Sequence, residues 1–292
     1  MLPSGNFRPM IKRVGIVGSG IMGSGIAEVA SKAGCEVVLR SRRIETAQAM
    51  VLSLEKSLDR QVERGKLDQS ERDGVVARVS VTADLADLAD CDLVIESVVE
   101  DLAVKKALFA ELDHVCGHNT ILATNTSTLP IIEMAVATGR PDRVCGVHFF
   151  NPAPMMALVE LIAPLTASAE TMASVHEFAV TCGKNPVNVA DRAGFVVNAL
   201  LFPYLNNAVR MLESGVADRD GIDAAMKDGC GFPMGPLALL DLVGLDTSVA
   251  ILDALYEEFR DPHYAAMPLL RRMVSAGQLG RKTKIGFYDY HK

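Results

Sequence analysis

The sequence predicts an α/β chain in two parts: a doubly wound sheet over residues 1–190 and an all-α domain over residues 191–292. Three observations predict it. Short β-branched runs alternate with helical stretches up to about Ala190. A glycine-rich turn joins the first of those runs to the first helix. Beyond Asp191 the strand-like runs stop, and apolar residues recur at helical spacing.

The elements follow in order. Ile11 to Val17 is apolar and β-branched, and the segment after the glycines suits a helix through Ala33. Glu36 to Arg40 reads as the next strand and Ile44 to Gly65 as a long amphipathic helix. Asp92 to Ser97, Thr120 to Thr124, Val144 to Phe150, Leu158 to Ile162 and Pro186 to Ala190 are further strands. Helices are expected over Val104 to Val115 and Ala169 to Cys182. Such alternation builds a parallel sheet covered on both faces. In the second domain Leu200, Leu201, Tyr204, Leu205, Ala208 and Leu212 would line one helix face. Gly215, Gly221, Gly229, Gly231 and Gly244 punctuate the helices that follow, and Pro233 and Pro236 mark a turn. A helical domain this rich in Leu, Ala and Met is expected to form a homodimer.

Composition narrows the function classes. The 292 residues carry 29 Lys+Arg against 36 Asp+Glu, a net charge of −7, which disfavours nucleic acid as a partner. With 49% hydrophobic and 22% charged residues the balance is that of a globular chain. No apolar run reaches the roughly 18 residues of a membrane span. Met1 to Met10 reads as a short tail, not a signal peptide. Cys35, Cys91, Cys116, Cys145, Cys182 and Cys230 are dispersed, with no C-x-x-C, so a reducing, cytoplasmic location is expected. His114 and His118 have the spacing of a metal pair, but Gly117 breaks the helix between them and no third ligand is near. Exposed histidines at a helix end are the expectation there, and no metal site is expected.

Gly18-Ser19-Gly20-Ile21-Met22-Gly23 places G-x-G-x-x-G directly between a strand and a helix, with a second strand following at Glu36. That is the context of a Rossmann-type dinucleotide loop. Gly18 permits the tight turn, Gly20 lets backbone approach a pyrophosphate, and Gly23 lets helix pack on strand. The helix start at Ile21 and Met22 then offers N–H groups to the phosphates. An acid usually ends the second strand and binds the ribose 2′-hydroxyl of NAD. Here the segment is Arg40-Ser41-Arg42-Arg43. A small hydroxyl beside guanidinium forks suits a 2′-phosphate, hence NADP. The alternative is that Arg42 and Arg43 are a solvated helix start and NAD still binds.

His148 stands near the end of an apolar strand and before a proline turn, in Val147-His148-Phe149-Phe150-Asn151-Pro152. Ligands of open α/β sheets bind at strand ends. Glu160 sits alone among Leu158, Val159, Leu161 and Ile162, where a carboxylate needs a partner. A His–Glu pair fits both a catalytic dyad and a satisfied core contact.

At this point the chain resembles the L-3-hydroxyacyl-CoA dehydrogenases, which include the 3-hydroxybutyryl-CoA dehydrogenases. The resemblance rests on His148-Phe149-Phe150-Asn151-Pro152, Asn125-Thr126-Ser127, Asp191-x-x-Gly194-Phe195-Val196-Val197-Asn198 and Gly235-Pro236-x-x-Leu239-Leu240-Asp241-x-x-Gly244-Leu245-Asp246. It runs from about Lys12 to Tyr290. It implies that His148 is the general base and acid at the 3-hydroxyl and that Glu160 orients its imidazole. It implies that Ser127 and Asn198 position the substrate oxygens, and that Ser127 also stands near the cofactor. Glu100, Lys105, Asn151 and Lys282 would touch the dinucleotide, and Ser57 and Arg64 coenzyme A. For Ser57 and Arg64 an ordinary helix surface is the equal alternative. Two departures stand out. Ser41 replaces the usual acid, and Lys284 stands where the family more often has glycine, which is expected to alter that turn.

The resemblance implies a monofunctional acyl-CoA oxidoreductase using NADP or NAD, acting on 3-hydroxybutyryl-CoA and acetoacetyl-CoA. A longer-chain or 3-hydroxyadipyl-CoA substrate remains open. A dehydrogenase of free β-hydroxyacids fits less well, since those folds rely on a lysine base. A catalytically idle dinucleotide-binding protein fits less well too, since His148, Glu160, Ser127 and Asn198 are all present.

Overall fold

The computed structural model describes residues 11–291, and the tail expected over Met1 to Met10 lies outside them. The chain forms two compact units, one ending at Asp191 and one beginning at Arg192.

The first unit carries β1 (Arg13–Val17), α1 (Ile21–Lys32), β2 (Glu36–Arg40), α2 (Ile44–Glu63), α3 (Gln69–Ala77) and β3 (Val79–Thr82). It continues through β4 (Leu93–Glu96), α4 (Leu102–Val115), β5 (Ile121–Thr124), α5 (Ile131–Ala135), β6 (Val144–Phe149), β7 (Leu158–Ala163), α6 (Ala169–Thr181) and β8 (Asn185–Ala190). The strands form one sheet in the order β3-β2-β1-β4-β5-β6-β7-β8. The order reverses beside β1, between β2 and β4, the place where open α/β sheets bind ligands. Ile26, Val29, Met50, Leu54, Val75, Val175 and Phe178 bury one face of the sheet together with Ile16, Leu39, Leu93 and Ile95. Side chains alternate along a strand, so Val94 and Glu96 point to the opposite face, where Lys105 of α4 meets Glu96.

The sheet is not parallel throughout, as the alternation of elements suggests. β7 runs antiparallel to β6, and β8 then runs parallel to β7. The cause is the connection. Residues 150–157 contain no helix, and a parallel return needs a crossover of a dozen or more residues. Three elements were not read from sequence: α3, β3 and α5. The first has a local signal, a capping box in which Asp68 accepts from the Glu71 N–H and Glu71 accepts from the Asp68 N–H.

The second unit holds α7 (Val197–Glu213), α8 (Arg219–Cys230), α9 (Pro236–Val243), α10 (Leu245–Phe259) and α11 (Pro268–Ser275). The buried face of α7 is Asn198, Phe202, Leu205, Asn206, Ala208 and Val209. Leu200 is therefore not on it. It is 72% exposed, because the inward stripe is rotated toward Phe202 and Val209. Leu201, Tyr204 and Leu212 flank that stripe. Of the punctuating glycines, Gly215, Gly231 and Gly244 have positive φ at helix ends, whereas Gly221 and Gly229 lie within α8.

Two carboxylates organise this unit. Asp223 accepts from the Leu237 and Ala238 N–H groups and so caps the start of α9. Asp241 is buried and accepts from the Phe287 and Tyr288 N–H groups and the Tyr290 hydroxyl. Burial pushes its pKa up despite those bonds. A Cβ on Gly286 would lie 2.0 Å from Asp241 Oδ1, so the tail wraps the carboxylate only with glycine there.

Lys284, the departure in that tail, adopts φ 62°. The turn still closes, with Gly280 N–H donating to Ile285 C=O at 2.8 Å. A left-handed conformation costs an L-residue about 1–2 kcal/mol, while glycine enters it without strain. Lys284→Gly is therefore expected to raise the urea midpoint of unfolding, by a stabilisation of about 0.5–1 kcal/mol once glycine's greater unfolded-state entropy is subtracted. A midpoint that stays put or falls would show that the turn carries no such strain.

Candidate active site

β1, β4, β5 and β6 are parallel, so their carboxyl ends form one edge of the sheet. Most of the residues singled out in the first unit lie on that edge.

The glycine loop leaves β1. Gly18 has φ 138°, and a Cβ there would fall 2.1 Å from the Ser97 carbonyl oxygen beyond β4. Gly23 packs under α1: a Cβ would meet Met50 Cε at 2.8 Å and Gly18 O at 3.0 Å. Gly20 differs, since a Cβ there would meet nothing within 4 Å. It is the N-cap of α1 and supplies no side chain to the first-turn N–H groups, and Ile21 behind it is 80% exposed. Open space over uncapped amides is what an approaching pyrophosphate needs.

Beside the loop lies a cavity of about 600 Å³, lined among others by Gly18, Gly20, Arg40, Ser41, Arg42 and Glu111. That size suits part of a dinucleotide. Ser41 is buried, and Arg42 reaches the cavity wall. Arg43 is not among the lining residues and pairs with Glu45 at 3.5 Å. Arg40 takes its place. Its Nε is buried and has no hydrogen-bond partner among the described residues. Burial lowers the Arg40 pKa, Arg42 lowers it further by repulsion, and Glu111 and Asp84 oppose both. The sequence reading quoted Arg40 in this segment but singled out Arg42, because sequence alone does not tell which arginines line a cavity.

Between cavity and dyad stands a polar cluster. Glu96, the last residue of β4, is fully buried. It accepts from Lys105 Nζ at 2.6 Å, the Val98 N–H at 2.5 Å and Thr124 Oγ1 at 2.7 Å. Lys105 is 1% exposed and also lies 3.3 Å from Glu100. Glu100 Oε1 accepts from Thr126 Oγ1 at 2.5 Å and the Ser127 N–H at 3.1 Å. Burial alone would raise the Glu100 pKa, but Lys105 and these hydrogen bonds bring it below the usual carboxylate value. Asn125 Oδ1 accepts from the Phe149 N–H at 2.8 Å and ties the end of β5 to β6.

His148 and Glu160 are direct partners in the antiparallel register of β6 and β7. Nδ1 lies 2.8 Å from Glu160 Oε2, both residues are buried, and the imidazole stacks obliquely on Phe150 at 4.6 Å. A carboxylate only accepts, so Nδ1 carries the hydrogen and Nε2 is the nitrogen for proton exchange. Asn151 follows in the exposed turn, joined to Pro152 by a cis peptide bond. The acid isolated in an apolar strand has its partner, and the reversal of β7 is what supplies it.

Other predicted positions lie apart from this edge. Ser57 is half-buried on α2, and Arg64 is the exposed C-cap of that helix. His114, on the last turn of α4, and His118 beyond it are both exposed. In the second unit Asn198 is buried on the first turn of α7, and Lys282 Nζ lies 2.5 Å from both carboxylate oxygens of Asp246.

The glycines separate by experiment. Gly20→Ala is expected to leave the thermal midpoint unchanged while weakening dinucleotide binding by about tenfold or more, measured by cofactor fluorescence titration. Gly18→Ala is expected to destabilise the ligand-free protein, since its Cβ collides with backbone. Equal midpoints and equal affinities for both variants would contradict the division.

Comparison with known proteins agrees with this layout. The family model described as 3-hydroxyacyl-CoA dehydrogenase, NAD binding domain, matches residues 13–192, and the model described as 3-hydroxyacyl-CoA dehydrogenase, C-terminal domain, matches residues 194–290. The chain is 51% identical over 286 residues to 3-hydroxybutyryl-CoA dehydrogenase of Mycobacterium tuberculosis, covering 96% of this chain and 99% of the relative. It is 49% identical over 280 residues to the protein of that name from Clostridioides difficile, covering 96% and 100%. The crystal structure of (S)-3-hydroxybutyryl-CoA dehydrogenase from Ralstonia eutropha superposes with a TM-score of 0.95 at 43% identity, covering 97% of this chain and all of that one. Glycine loop, NAD(P)-binding sheet, His–Glu pair and helical domain together place the chain in the 3-hydroxyacyl-CoA dehydrogenase family.

Proposed function

We propose that the protein interconverts (S)-3-hydroxybutyryl-CoA and acetoacetyl-CoA. The observation that carries the reading is the buried His148–Glu160 pair on the edge that also bears the glycine loop. The names of the relatives support it. In oxidation the 3-hydroxyl proton passes to His148 Nε2, and Glu160 stabilises the imidazolium that results. In reduction the imidazolium returns that proton to the oxygen at C3. When bound, the dinucleotide takes up or supplies the hydride. Ser127 hydrogen-bonds a substrate oxygen and holds C3 in place. Ser57 and Arg64 meet coenzyme A. Ser127, Glu100 and Asn151 border the cofactor.

The cofactor reading is NADP. Arg40 and Arg42 both line the cavity, and Ser41 stands where an acid would repel a 2′-phosphate. The helical unit is read as the dimerisation domain, supported by the exposed Leu200, Met211 and Val216. A reducing, cytoplasmic location is supported by six free thiols, of which burial raises the pKa of Cys91 and Cys116 to about 11.

Two measurements test this. Steady-state reduction of acetoacetyl-CoA is expected to show a higher kcat/KM with NADPH than with NADH, and Arg40→Ala and Arg42→Ala should each narrow that ratio. Turnover that favours NADH would leave the reaction standing and overturn the cofactor reading. His148→Ala is expected to lose about 10²–10⁴-fold in kcat while cofactor affinity holds. Wild-type turnover in that variant would sink the acid–base assignment, whereas a wild-type protein that binds the dinucleotide and turns over no acyl-CoA would revive the idle scaffold.

A further inference from the structure

The cluster of buried Glu96 and Lys105 with the more exposed Glu100 has no part in the proton transfer just described, and its geometry is directional. Lys105 is held between two carboxylates, at 2.6 Å from Glu96 and 3.3 Å from Glu100. At 1% exposure its ammonium is enclosed by these partners. A dinucleotide contact would come in addition to these two bonds, since an ammonium has three donors. Its pairing has another consequence. Lys105 engages Glu100 Oε2, which leaves Oε1 aimed at the turn after β5. There Oε1 receives the Thr126 hydroxyl, the Ser127 N–H and, at 3.3 Å, the Thr128 hydroxyl. Glu96 in turn fixes Lys105 and holds the same turn from below through Thr124, whose hydroxyl oxygen accepts from the Thr126 N–H at 3.1 Å.

We propose that Lys105 and Glu96 are positioning residues that act through Glu100 and the 124–128 turn to set the place of Ser127. The proposal rests on the reading of Ser127 as a substrate-contacting residue. The buried Glu96 and the partly exposed Glu100 around one ammonium leave a net negative charge, and the donors of the turn bond to it. The turn is thereby held by charge-assisted hydrogen bonds, stronger than neutral ones. A displacement of about 1 Å at a positioning group can cost a hundredfold in rate, so the rigidity of this cluster has kinetic weight.

The test compares Thr126→Val, Thr126→Ser, Ser127→Ala and the charge-neutral double variant Glu96→Gln/Lys105→Met in acetoacetyl-CoA reduction. The double variant avoids leaving a buried carboxylate unpaired. T126V and the double variant are each expected to lower kcat by about ten- to a hundredfold, with the KM of T126V for the dinucleotide within about twofold of wild type. T126S, which keeps the hydroxyl, is expected to restore kcat. Added to S127A, T126V should cost little more, because both act at one residue. Additive losses would overturn the proposal, and so would an unchanged kcat in the double variant. If the double variant does not fold, T126V and T126S decide alone. An S127A variant with wild-type turnover removes the underlying reading as well, whereas an impaired S127A beside an unimpaired T126V overturns only the positioning role.

Discussion

A carboxylate buried on a strand must find a cation or a set of donors, and that constraint organises the edge where the chemistry is placed. Glu96 and Glu160 are both essentially inaccessible. Each is answered from another element: Glu96 by Lys105 of α4, Glu160 by His148 of β6. Removing one partner of such a pair typically costs 3–5 kcal/mol, because the other is left charged and dry. The pairs therefore fix how α4 lies on β4 and how β7 lies on β6. The second case is the more consequential. An antiparallel β7 puts Glu160 directly across from His148, so register and side-chain contact reinforce each other.

The long motifs that give the chain its family likeness divide, on inspection, into two kinds of work. Some residues shape backbone. Asp191 accepts from the Ile131 and Ile132 N–H groups and caps α5, Asp223 caps α9, and Asp241 anchors the tail around Gly280 and Gly286. Gly18 belongs with them, since its lack of a side chain serves the contact with Ser97. Others face outward to chemistry. Gly20 leaves space that no described residue fills within 4 Å, and Arg40 and Arg42 line the cavity beside it. Spacing alone cannot separate Gly18 from Gly20. Their surroundings do.

What was legible in the sequence follows from the range of the interaction involved. β2 has the very limits read from its β-branched run, and the glycine loop announces itself through adjacent residues. Strand direction does not register in periodicity, so the reversal of β7 was missed although Glu160 was read as needing a partner. Leu200 was put on the wrong face of α7 because the helix carries apolar residues on both sides and only packing selects the inner one. Arg43 read as a phosphate ligand equally with Arg42, but its local pairing with Glu45 depends on rotamers. Lys105 is the clearest case. The resemblance implied a dinucleotide contact and nothing nearby in sequence signalled its burial, which follows from Glu96, whose own burial depends on the whole sheet.

The turn after β5 joins these threads. Asn125 holds the Phe149 N–H, one residue beyond His148, and the Ser127 N–H is held by Glu100, which answers to Lys105. One turn thus takes its position from the dyad strand on one side and from the buried ion cluster on the other. A loop that must place a hydroxyl within a few tenths of an ångström cannot rely on its own conformational preferences, since loops are the mobile parts of a fold. Bonds to rigid strands remove that freedom before any ligand arrives, and the entropy is lost on folding instead of on binding. Strand ends suit catalysis for this reason. They are the places where backbone leaves the sheet with its direction already fixed, and where buried charge can hold the first residues of a loop as firmly as the strand itself.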